Sequence, residues 1–394
     1  MAEVVHSHAP QGQAPEATAP RHSPLEEALG RAGASFREGD GCVVASDFGD
    51  AAAEYEAVRG RGAGLFDLSA RGRVEVSGGE AVMFLNGMLT NDVARLEDGA
   101  WMHAAFPNPQ GRLLASARVL RDGARFVFDT EPATYAALLK LLGRFTLAGD
   151  FRVRDLTPET ALVSVQGARA AEVVRAVFGD GVAGLARARV ARADEDRGGE
   201  PTLVIRATHT AEDGFDIFVN AQSAAPLWQS LVEAGARPAG ADALEVLRVE
   251  AGVPRYGVDA SDSNVVLEVV DEAEAVSYTK GCYAGQEIIA RIHWRGHVAK
   301  QLAGVVFDTD AEPPADARLR DPLGGREAGR VTSSVYSPRL RARVALALVK
   351  YDFLAPGTEL KLFDGDAEVC AARVAELPLV RGGWHAQDSP GGSE

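Results

Sequence analysis

Cysteine is scarce in this chain of 394 residues, which has three, Cys42, Cys282 and Cys370. An odd number of widely spaced cysteines does not make a disulfide framework, so we expect a reducing, cytoplasmic setting. Basic residues are also in deficit, because 41 of them stand against 56 acidic ones and the formal net charge is −15. A general nucleic-acid binder needs a basic surface, so no direct nucleic-acid partner is expected.

Long apolar runs and several catalytic signatures are missing as well. No stretch approaches the ~20 apolar residues of a membrane span, and no secretory signal is visible, so no membrane partner is expected. There is no GxxxxGK loop, GxSxG elbow, HExxH or CxxC, which removes the common nucleotide-hydrolysing, serine-esterase and zinc-protease interpretations. His293 and His297 have a spacing that can bind metal, but Gly296 weakens a helix between them, and no metal site is expected.

The overall composition, with 46% hydrophobic and 25% charged residues, is typical of soluble globular proteins. The length predicts two or three domains. Residues 1–22 are rich in Ala, Pro, His and Gln, and no Leu, Ile, Phe or Val occurs between His6 and Pro24. Such a segment cannot offset its ordering entropy, so we predict a disordered tail there and a mostly disordered tail over 379–394.

The middle of the chain carries an internal duplication. A strand at Val74 leads into an apolar-periodic helix, and the same pattern returns 89 residues later at Val163. Another strand ends at Thr130 before a helix, and its counterpart ends at Asn220, 90 residues later. Alternation in the strands and i, i+3, i+4 spacing in the helices predict two related α+β lobes, between which ligands often bind. Chance similarity of ordinary α+β patterns is the alternative.

From Gln301 onward the pattern changes to short alternating strands and turns, with a hairpin signal at Asp364-Gly365. This succession of short strands predicts a small antiparallel barrel or sandwich. The predicted division is therefore a first lobe over 23–155, a second lobe with a cysteine-containing loop over 156–299, and a β domain over 300–378.

The segment Lys280–Glu287, with the sequence KGCYAGQE, is the sharpest chemical signal in the chain. Glycines surround Cys282, and an apolar-periodic helix follows it. The helix dipole and Lys280 would both favour a thiolate, so Cys282 and Lys280 are the candidate catalytic residues. The alternative is a buried structural cysteine in a tight turn.

Two further segments contain charged residues that could contact a partner or a ligand. Arg248 and Glu250 cannot face the same side of a helix, so one of them is expected to point inward to a partner or ligand. A solvated helix end is the alternative. Glu212 lies in a hairpin turn, and by its residue type and position alone it is a turn residue.

The segment Lys280–Glu287 resembles the signature of the YgfZ family, folate-binding proteins linked to iron–sulfur cluster maintenance and tRNA modification. That family is related to the T-protein, the aminomethyltransferase of the glycine cleavage system. The resemblance covers about residues 36 to 376 in order, and the blocks that carry it besides the cysteine segment are Gly64–Ser69, Leu89–Val93, His209–Phe215, Leu247–Gly257 and Gly329–Pro338.

The resemblance implies an α+β fold of T-protein-like arrangement, with two related lobes and a C-terminal antiparallel β-barrel around a central folate pocket. The cofactor it implies is tetrahydrofolate or a one-carbon derivative. It places Glu212 at a pterin-contacting glutamate and Arg248 at a folate-contacting arginine, and it assigns Cys282 a redox role or contact with a cluster. The remaining residues of the implied cofactor-binding set are Asp92, which borders the pocket, Tyr283, Gln286 and Glu250.

One departure from the T-protein concerns its chemistry. The T-protein has two aspartates, one of them its acid/base group, where this chain has Ala115 and Ser116. Neither side chain takes up a proton near neutral pH. Whether the chain is an enzyme is therefore left open, and aminomethyl transfer of the T-protein kind is not expected. His209 and Ala211 also replace the family's usual Tyr and Gly.

The predicted function is that of a tetrahydrofolate-binding YgfZ-like protein that supports iron–sulfur cluster assembly or repair and, indirectly, tRNA modification. Its expected partners are folate and iron–sulfur proteins or cluster donors, and a cytoplasmic monomer is expected. One alternative is a folate-dependent aminomethyltransferase whose acid/base group has moved. Another is a non-catalytic interaction protein that has lost its ligand.

Overall fold

The computed structural model describes residues 19–386 except 145, 148, 194–199, 316 and 324. The predicted tails therefore fall largely outside the described residues, over 1–18 and 387–394. Two α+β lobes and a closed barrel of antiparallel strands make up the described part, which confirms the predicted fold class. Within that part, no helix is long and apolar enough to cross a bilayer.

The α-helices of the described residues are α1 (Glu26–Arg31), α2 (Ala51–Arg59), α3 (Ala81–Met88), α4 (Pro132–Gly143), α5 (Ala170–Phe178), α6 (Asp180–Ala183), α7 (Ala221–Glu233), α8 (Ala241–Ala251), α9 (Val266–Val269), α10 (Glu272–Ala275), α11 (Gln286–Arg295) and α12 (Gly383–Ala386). Short 3-10 turns occur at Val93–Arg95, Thr157–Glu159 and Tyr351–Phe353.

The strands are β1 (Ser35–Gly39), β2 (Cys42–Asp47), β3 (Gly64–Asp67), β4 (Gly72–Ser77), β5 (Ala100–Pro107), β6 (Leu113–Asp122), β7 (Arg125–Thr130), β8 (Arg152–Asp155), β9 (Thr160–Gln166), β10 (Val190–Arg192), β11 (Leu203–Arg206), β12 (Gly214–Asn220), β13 (Arg237–Pro238), β14 (Lys300–Phe307), β15 (Arg318–Arg320), β16 (Glu327–Ser337), β17 (Ala342–Lys350), β18 (Glu359–Asp364) and β19 (Ala367–Ala375).

The first lobe is built on a sheet of order β5-β6-β7-β4-β8. Alternation along β7 sends Phe126 and Phe128 into a core with Leu85 of α3 and Leu138 of α4. Val127, between them, belongs instead to a cluster on the opposite face of the sheet. One face of the sheet is therefore covered by helices, and the other is left for the second lobe.

The second lobe has the sheet order β10-β11-β12-β9-β3-β13. Its strands β12 and β9 are adjacent, as β7 and β4 are in the first lobe, and each strand of both pairs is followed by a helix. Val74 and Val163 lie in β4 and β9, and Thr130 and Asn220 end β7 and β12. The predicted relationship between the two lobes is confirmed.

The lobes do not divide the chain where the sequence predicted. Strand β3 pairs with β9 of the second lobe, with Leu65 opposite Val165, although it lies within the range predicted for the first lobe. Leu25, Leu29 and Leu65 are buried in the core of the second lobe. Local patterns reveal that a segment is a strand, but they do not reveal its distant partner, so the predicted boundary at 155/156 missed this exchange.

The two sheets face each other through the sides that carry no helices. Trp101, Leu120 and Val127 of the first lobe are buried there against Leu203 and Phe218 of the second. Charged side chains also cross this interface, as Arg118 of β6 does to Asp216 of β12.

The third domain is a closed barrel of order β14-β17-β16-β15-β18-β19, and its interior is filled by apolar side chains. After β19 the chain returns to the second lobe. The backbone N–H of Val380 donates to the carbonyl of Glu250 at 2.9 Å, and that of Trp384 donates to Ala211 at 3.1 Å. Residues 379–386, predicted as part of a mostly disordered tail, are therefore attached to the folded protein.

Candidate functional site

A cavity of about 540 Å³ opens between the β1–β2 hairpin, β3, the start of α4 and the start of α8. This volume is typical of a small-molecule site. Its wall combines aromatic surface, from Phe48, Phe66 and Trp228, with ionisable groups. Its ionisable groups include Arg71, Glu131, His209, Glu245 and Arg248. Such a cavity suits a flat ligand that has polar edges.

Buried charges connect the two lobes beside this cavity. Asp129 of β7 accepts from Arg71 Nε at 2.6 Å and from Arg118 Nε at 2.7 Å. Asp216 of β12 lies 2.6 Å from Arg118 Nη2 and 2.8 Å from His209 Nε2. We call Arg71, Arg118, Asp129, His209 and Asp216 the interlobe cluster. Its members Arg71 and His209 line the cavity.

Electrostatics keep both aspartates of the interlobe cluster ionised. Burial acts to raise the pKa of Asp129, but Arg118 and Arg71 outweigh it and hold that pKa below its usual value. Burial opposes ionisation of Asp216 in the same way, and His209 and Arg118 lower its pKa overall. The cluster therefore presents paired charges rather than neutral acids at neutral pH.

Arg248 is the predicted site residue that lines the cavity. It sits on α8 and donates to Glu245 at 2.8 Å, to Asp259 at 2.7 Å and to Ser333 of the barrel at 2.6 Å. These contacts fix its guanidinium at the point where the second lobe meets the barrel. It can position a ligand there without reorganisation.

Glu212 and Glu250 were predicted at the cofactor, but the structure places them around Arg59 and not on the cavity wall. Arg59 donates to Glu250 at 2.8 Å and to Glu212 at 3.1 Å. Glu250 also accepts from Tyr55 at 2.8 Å and from Ser337 of the barrel at 2.5 Å. We call Tyr55, Arg59, Glu212, Glu250 and Ser337 the Arg59 cluster. Because it ties α2, α8 and the barrel together, its contacts are structural.

The cysteine-containing loop is fastened to the first lobe by Lys280. The Lys280 ammonium donates to the carbonyls of Leu89 at 2.6 Å and Asn91 at 2.8 Å, and it lies 4.9 Å from the centre of the Tyr283 ring. Burial lowers the pKa of Lys280 to about 8, although Asp92 nearby acts to raise it. Lys280 is thus engaged with backbone carbonyls, while the thiol of Cys282 is exposed.

Three other predicted site residues, Asp92, Tyr283 and Gln286, lie in this loop or close to it. Tyr283 is buried, and Gln286 is the first residue of α11. Asp92 accepts from the backbone of Ala94 at 3.1 Å and so caps a 3-10 turn. The structure brings Asp92, Lys280 and Tyr283 together, and none of these residues lines the 540 Å³ cavity.

Sequence reasoning missed Arg71, Arg118, Asp129 and Asp216. Both aspartates stand in strands among phenylalanines, in FVFD and GFDIF. A carboxylate in a buried apolar strand must be paired, because an unpaired buried charge is costly. That signal could have directed attention to them before the fold was known.

The sequence matches the GCVT N-terminal domain over residues 25–270 and the glycine cleavage T-protein C-terminal barrel domain over residues 300–380. An aminomethyltransferase of Rubrobacter xylanophilus is 33% identical, over 92% of this chain and 94% of its own length. One from Geobacillus kaustophilus is 31% identical, over 92% of this chain and 99% of its own. The crystal structure of glycine cleavage system aminomethyltransferase T from Bartonella henselae superposes with a TM-score of 0.83 at 25% identity, covering 92% of this chain and 98% of that one.

Fold and site together define a three-domain α+β protein with a cavity beside two sister lobes and a C-terminal barrel. Matches that span both domain types and most of the chain agree with this class. The chain belongs to the glycine cleavage T-protein family. The similar proteins are named aminomethyltransferase, which favours the alternative function of the sequence analysis, and they do not distinguish the YgfZ branch.

Proposed function

We propose that this protein binds tetrahydrofolate, or a one-carbon derivative of it, in the 540 Å³ cavity. The observation that carries the proposal is the combination of aromatic walls with Arg71, His209 and Arg248 in one cavity of suitable size. A pterin is flat and has N–H donors along its edge, and the glutamate tail of a folate has carboxylates that arginines bind. The aminomethyltransferase relatives support a folate ligand, because that activity transfers a one-carbon unit to tetrahydrofolate.

We further propose a YgfZ-like role for the protein, in which folate binding supports iron–sulfur cluster assembly or repair and, indirectly, tRNA modification. It is supported by the exposed thiol of Cys282 on a fastened loop, and by Ala115 and Ser116 where a T-protein has carboxylates. We propose a cytoplasmic monomer whose protein partners are iron–sulfur proteins or cluster donors.

Aminomethyl transfer is the second candidate function. The observation that favours it is the name shared by the relatives, which match over 92% of this chain at up to 33% identity. It requires a group that handles the proton of the amine, since Ala115 and Ser116 supply none.

Titration calorimetry with tetrahydrofolate under anaerobic conditions tests the ligand. Binding with one site per chain is expected, and absence of binding would remove both functions. Ammonia release from an aminomethyl-lipoyl carrier protein, dependent on tetrahydrofolate, would favour the second candidate over the first.

Cellular complementation tests the cluster role. In cells that lack the native protein, Cys282→Ser should lower the activity of a cluster-dependent tRNA-modifying enzyme. Cys370→Ser is the matched control, because Cys370 is buried in the barrel core. Equal activity of the two variants would exclude a role for the exposed thiol.

A further inference from the structure

Strand β6 has Ala115 and Ser116 where the T-protein has two aspartates. The chain segment that follows the neighbouring strand β7 supplies a carboxylate, that of Glu131. Strands β6 and β7 are antiparallel, with Ala117 opposite Thr130 and Arg118 opposite Asp129. One step further along the same register, Ser116 faces the position of Glu131. The hydroxyl of Thr130 donates to the carbonyl of Ser116 at 2.7 Å, which holds the two chain segments together at this point. A carboxylate therefore stands directly after the adjacent strand, beside the position where Ser116 offers none.

The side chain of Glu131 is directed to the cavity and not to its own helix. Glu131 is the N-cap residue of α4, but its side chain caps no N–H of that helix. Pro132 at the first position has no N–H to satisfy, and the N–H of Thr134 donates to the backbone carbonyl of Glu131 at 3.1 Å. The carboxylate of Glu131 is left to line the cavity.

Few positive charges or hydrogen-bond donors lie close enough to stabilise the negative charge of the Glu131 carboxylate. The nearest cation is Arg71, whose Nη1 lies 3.5 Å from Oε1 of Glu131, while the same arginine holds Asp129 at 2.6 Å. Burial raises the pKa of Glu131 above its usual value, against the opposing effects of Arg71, Arg248 and a backbone N–H of Tyr256 and with a smaller contribution from Asp129. The other ionisable side chains around the cavity are Arg37, Asp40, Asp67, His209, Glu245 and Arg255.

We propose that Glu131 is the proton-exchanging residue of the cavity and contacts the nitrogen-bearing edge of the ligand, taking the place of the carboxylate absent from positions 115 and 116. This inference rests on the proposed folate binding and applies to either function. One proton moves on binding: a protonated Glu131 releases its proton to water, and the resulting carboxylate accepts a hydrogen bond from an N–H of the ligand, which keeps its own proton. Binding is therefore tighter when Glu131 is ionised.

Proton linkage measured by calorimetry tests the proposal on the full chain. Tetrahydrofolate is titrated at pH 5.5 to 7.5 in pairs of buffers with different ionisation heats, which gives the number of protons released on binding. The wild type should release a fraction of a proton, and its affinity should fall as the pH falls, by at most about tenfold per pH unit for one linked proton. Glu131→Gln should bind with a pH-independent affinity once the ligand's own ionisation, common to both proteins, is subtracted.

Glu80→Gln is the matched control, because Glu80 is the N-cap residue of α3 in the same lobe and lies outside the cavity. It should release protons as the wild type does. Glu131→Asp keeps a titratable group one methylene further back, and it should retain proton release with a shifted pH midpoint.

Proton release by Glu131→Gln equal to that of the wild type would overturn the inference and leave folate binding in place. A midpoint unchanged in Glu131→Asp would overturn it as well. Failure of the wild type to bind tetrahydrofolate would instead refute the proposed function. The two failures are therefore distinguishable in one set of titrations.

Discussion

The interlobe cluster and the Arg59 cluster are both buried groups of arginines and carboxylates, yet only the first borders the cavity. The interlobe cluster joins β7 to β12 and exposes Arg71 and His209 to the cavity. The Arg59 cluster is closed by Ser337 of the barrel and by the backbone N–H of Gly383, which donates to Glu212 at 2.8 Å. The same chemical groups therefore border a cavity in one place and join the second lobe to the barrel in the other.

The largest expected effect breaks the Arg59 cluster. Glu250→Ala leaves Arg59, whose side chain is 3% exposed, without its closest carboxylate. Removing one partner of a buried pair costs about 3–5 kcal/mol, so denaturant unfolding should show a loss of that size. Glu233→Ala, at an exposed position of α7, is the control and should change the free energy of unfolding by less than about 0.5 kcal/mol. An unaltered Glu250→Ala midpoint would contradict the structural role.

The next effect concerns the interlobe cluster and pH. Asp216→Asn should reduce the free energy of unfolding by about 2 kcal/mol at pH 7, because the buried, ionised Asp216 carboxylate lies 2.6 Å from the Arg118 guanidinium and 2.8 Å from His209 Nε2. The folded pKa of Asp216 is lowered, so its stabilisation is fully present above the unfolded value of ~3.9 and disappears as the pH falls through the folded pKa.

Denaturant unfolding from pH 7 to pH 2 measures this pH dependence. The difference between the wild type and Asp216→Asn should be constant down to about pH 4 and shrink below it. A difference that already disappears between pH 7 and pH 5 would show that Asp216 is not held ionised by its partners.

A smaller effect concerns the affinity for tetrahydrofolate, which should depend on Arg71 of the interlobe cluster. Arg71→Met removes a cavity guanidinium, while Asp129 keeps Arg118. The dissociation constant of tetrahydrofolate should rise about tenfold, the size expected for one charge-assisted contact. Arg175→Met removes an exposed arginine from a single ion pair with Asp180 and should leave that constant unchanged. Equal constants for both variants would place the ligand elsewhere.

The smallest effect concerns the contact of the C-terminal segment, at Gly382 and Gly383, with Ala211 and with Glu212 of the Arg59 cluster. A Cβ at position 382 would lie 2.4 Å from the carbonyl oxygen of Ala211, whereas one at position 383 would meet Glu212 at an ordinary 3.4 Å. Gly382→Ala should release the C-terminal segment at a cost of about 1 kcal/mol and speed amide exchange over 380–386, and Gly383→Ala should do so much less. Equal exchange in both would show that the segment is not held by this contact.

Much of the fold was predictable, because periodicity is local. The strands at Val74 and Val163, the barrel after Gln301 and the relation between the lobes all follow from alternation and helical spacing. The partner of β3 was not predictable, since strand pairing is a long-range property. The predicted tail over 379–394 did not anticipate that residues 379–386 are attached to the second lobe, because that attachment comes from contacts with Ala211, Glu212 and Glu250.

The candidate site was predictable only in part. The helix positions of Arg248 and Glu250 predicted only that one of the two faces inward, and the structure buries both. Arg248 itself was assigned to the site from the family resemblance. Glu212 and Glu250 were assigned to the cofactor from motif resemblance, and motif position does not specify the direction of a side chain. Asp129 and Asp216 share Arg118 only after the two sheets have packed face to face. Their roles remain predictions that the experiments above can test.

The position of β3 has a consequence for any attempt to divide this protein. Because residues 64–67 lie between β9 and β13, the chain passes from the second lobe into the first and back again. A fragment that begins at residue 156 would leave one side of β9 with unsatisfied N–H and C=O groups, open to pairing with another molecule. The two lobes are therefore expected to fold and to be expressed as one unit, and a truncation that keeps the second lobe intact must retain β3 together with Leu25 and Leu29, which are buried in the same core.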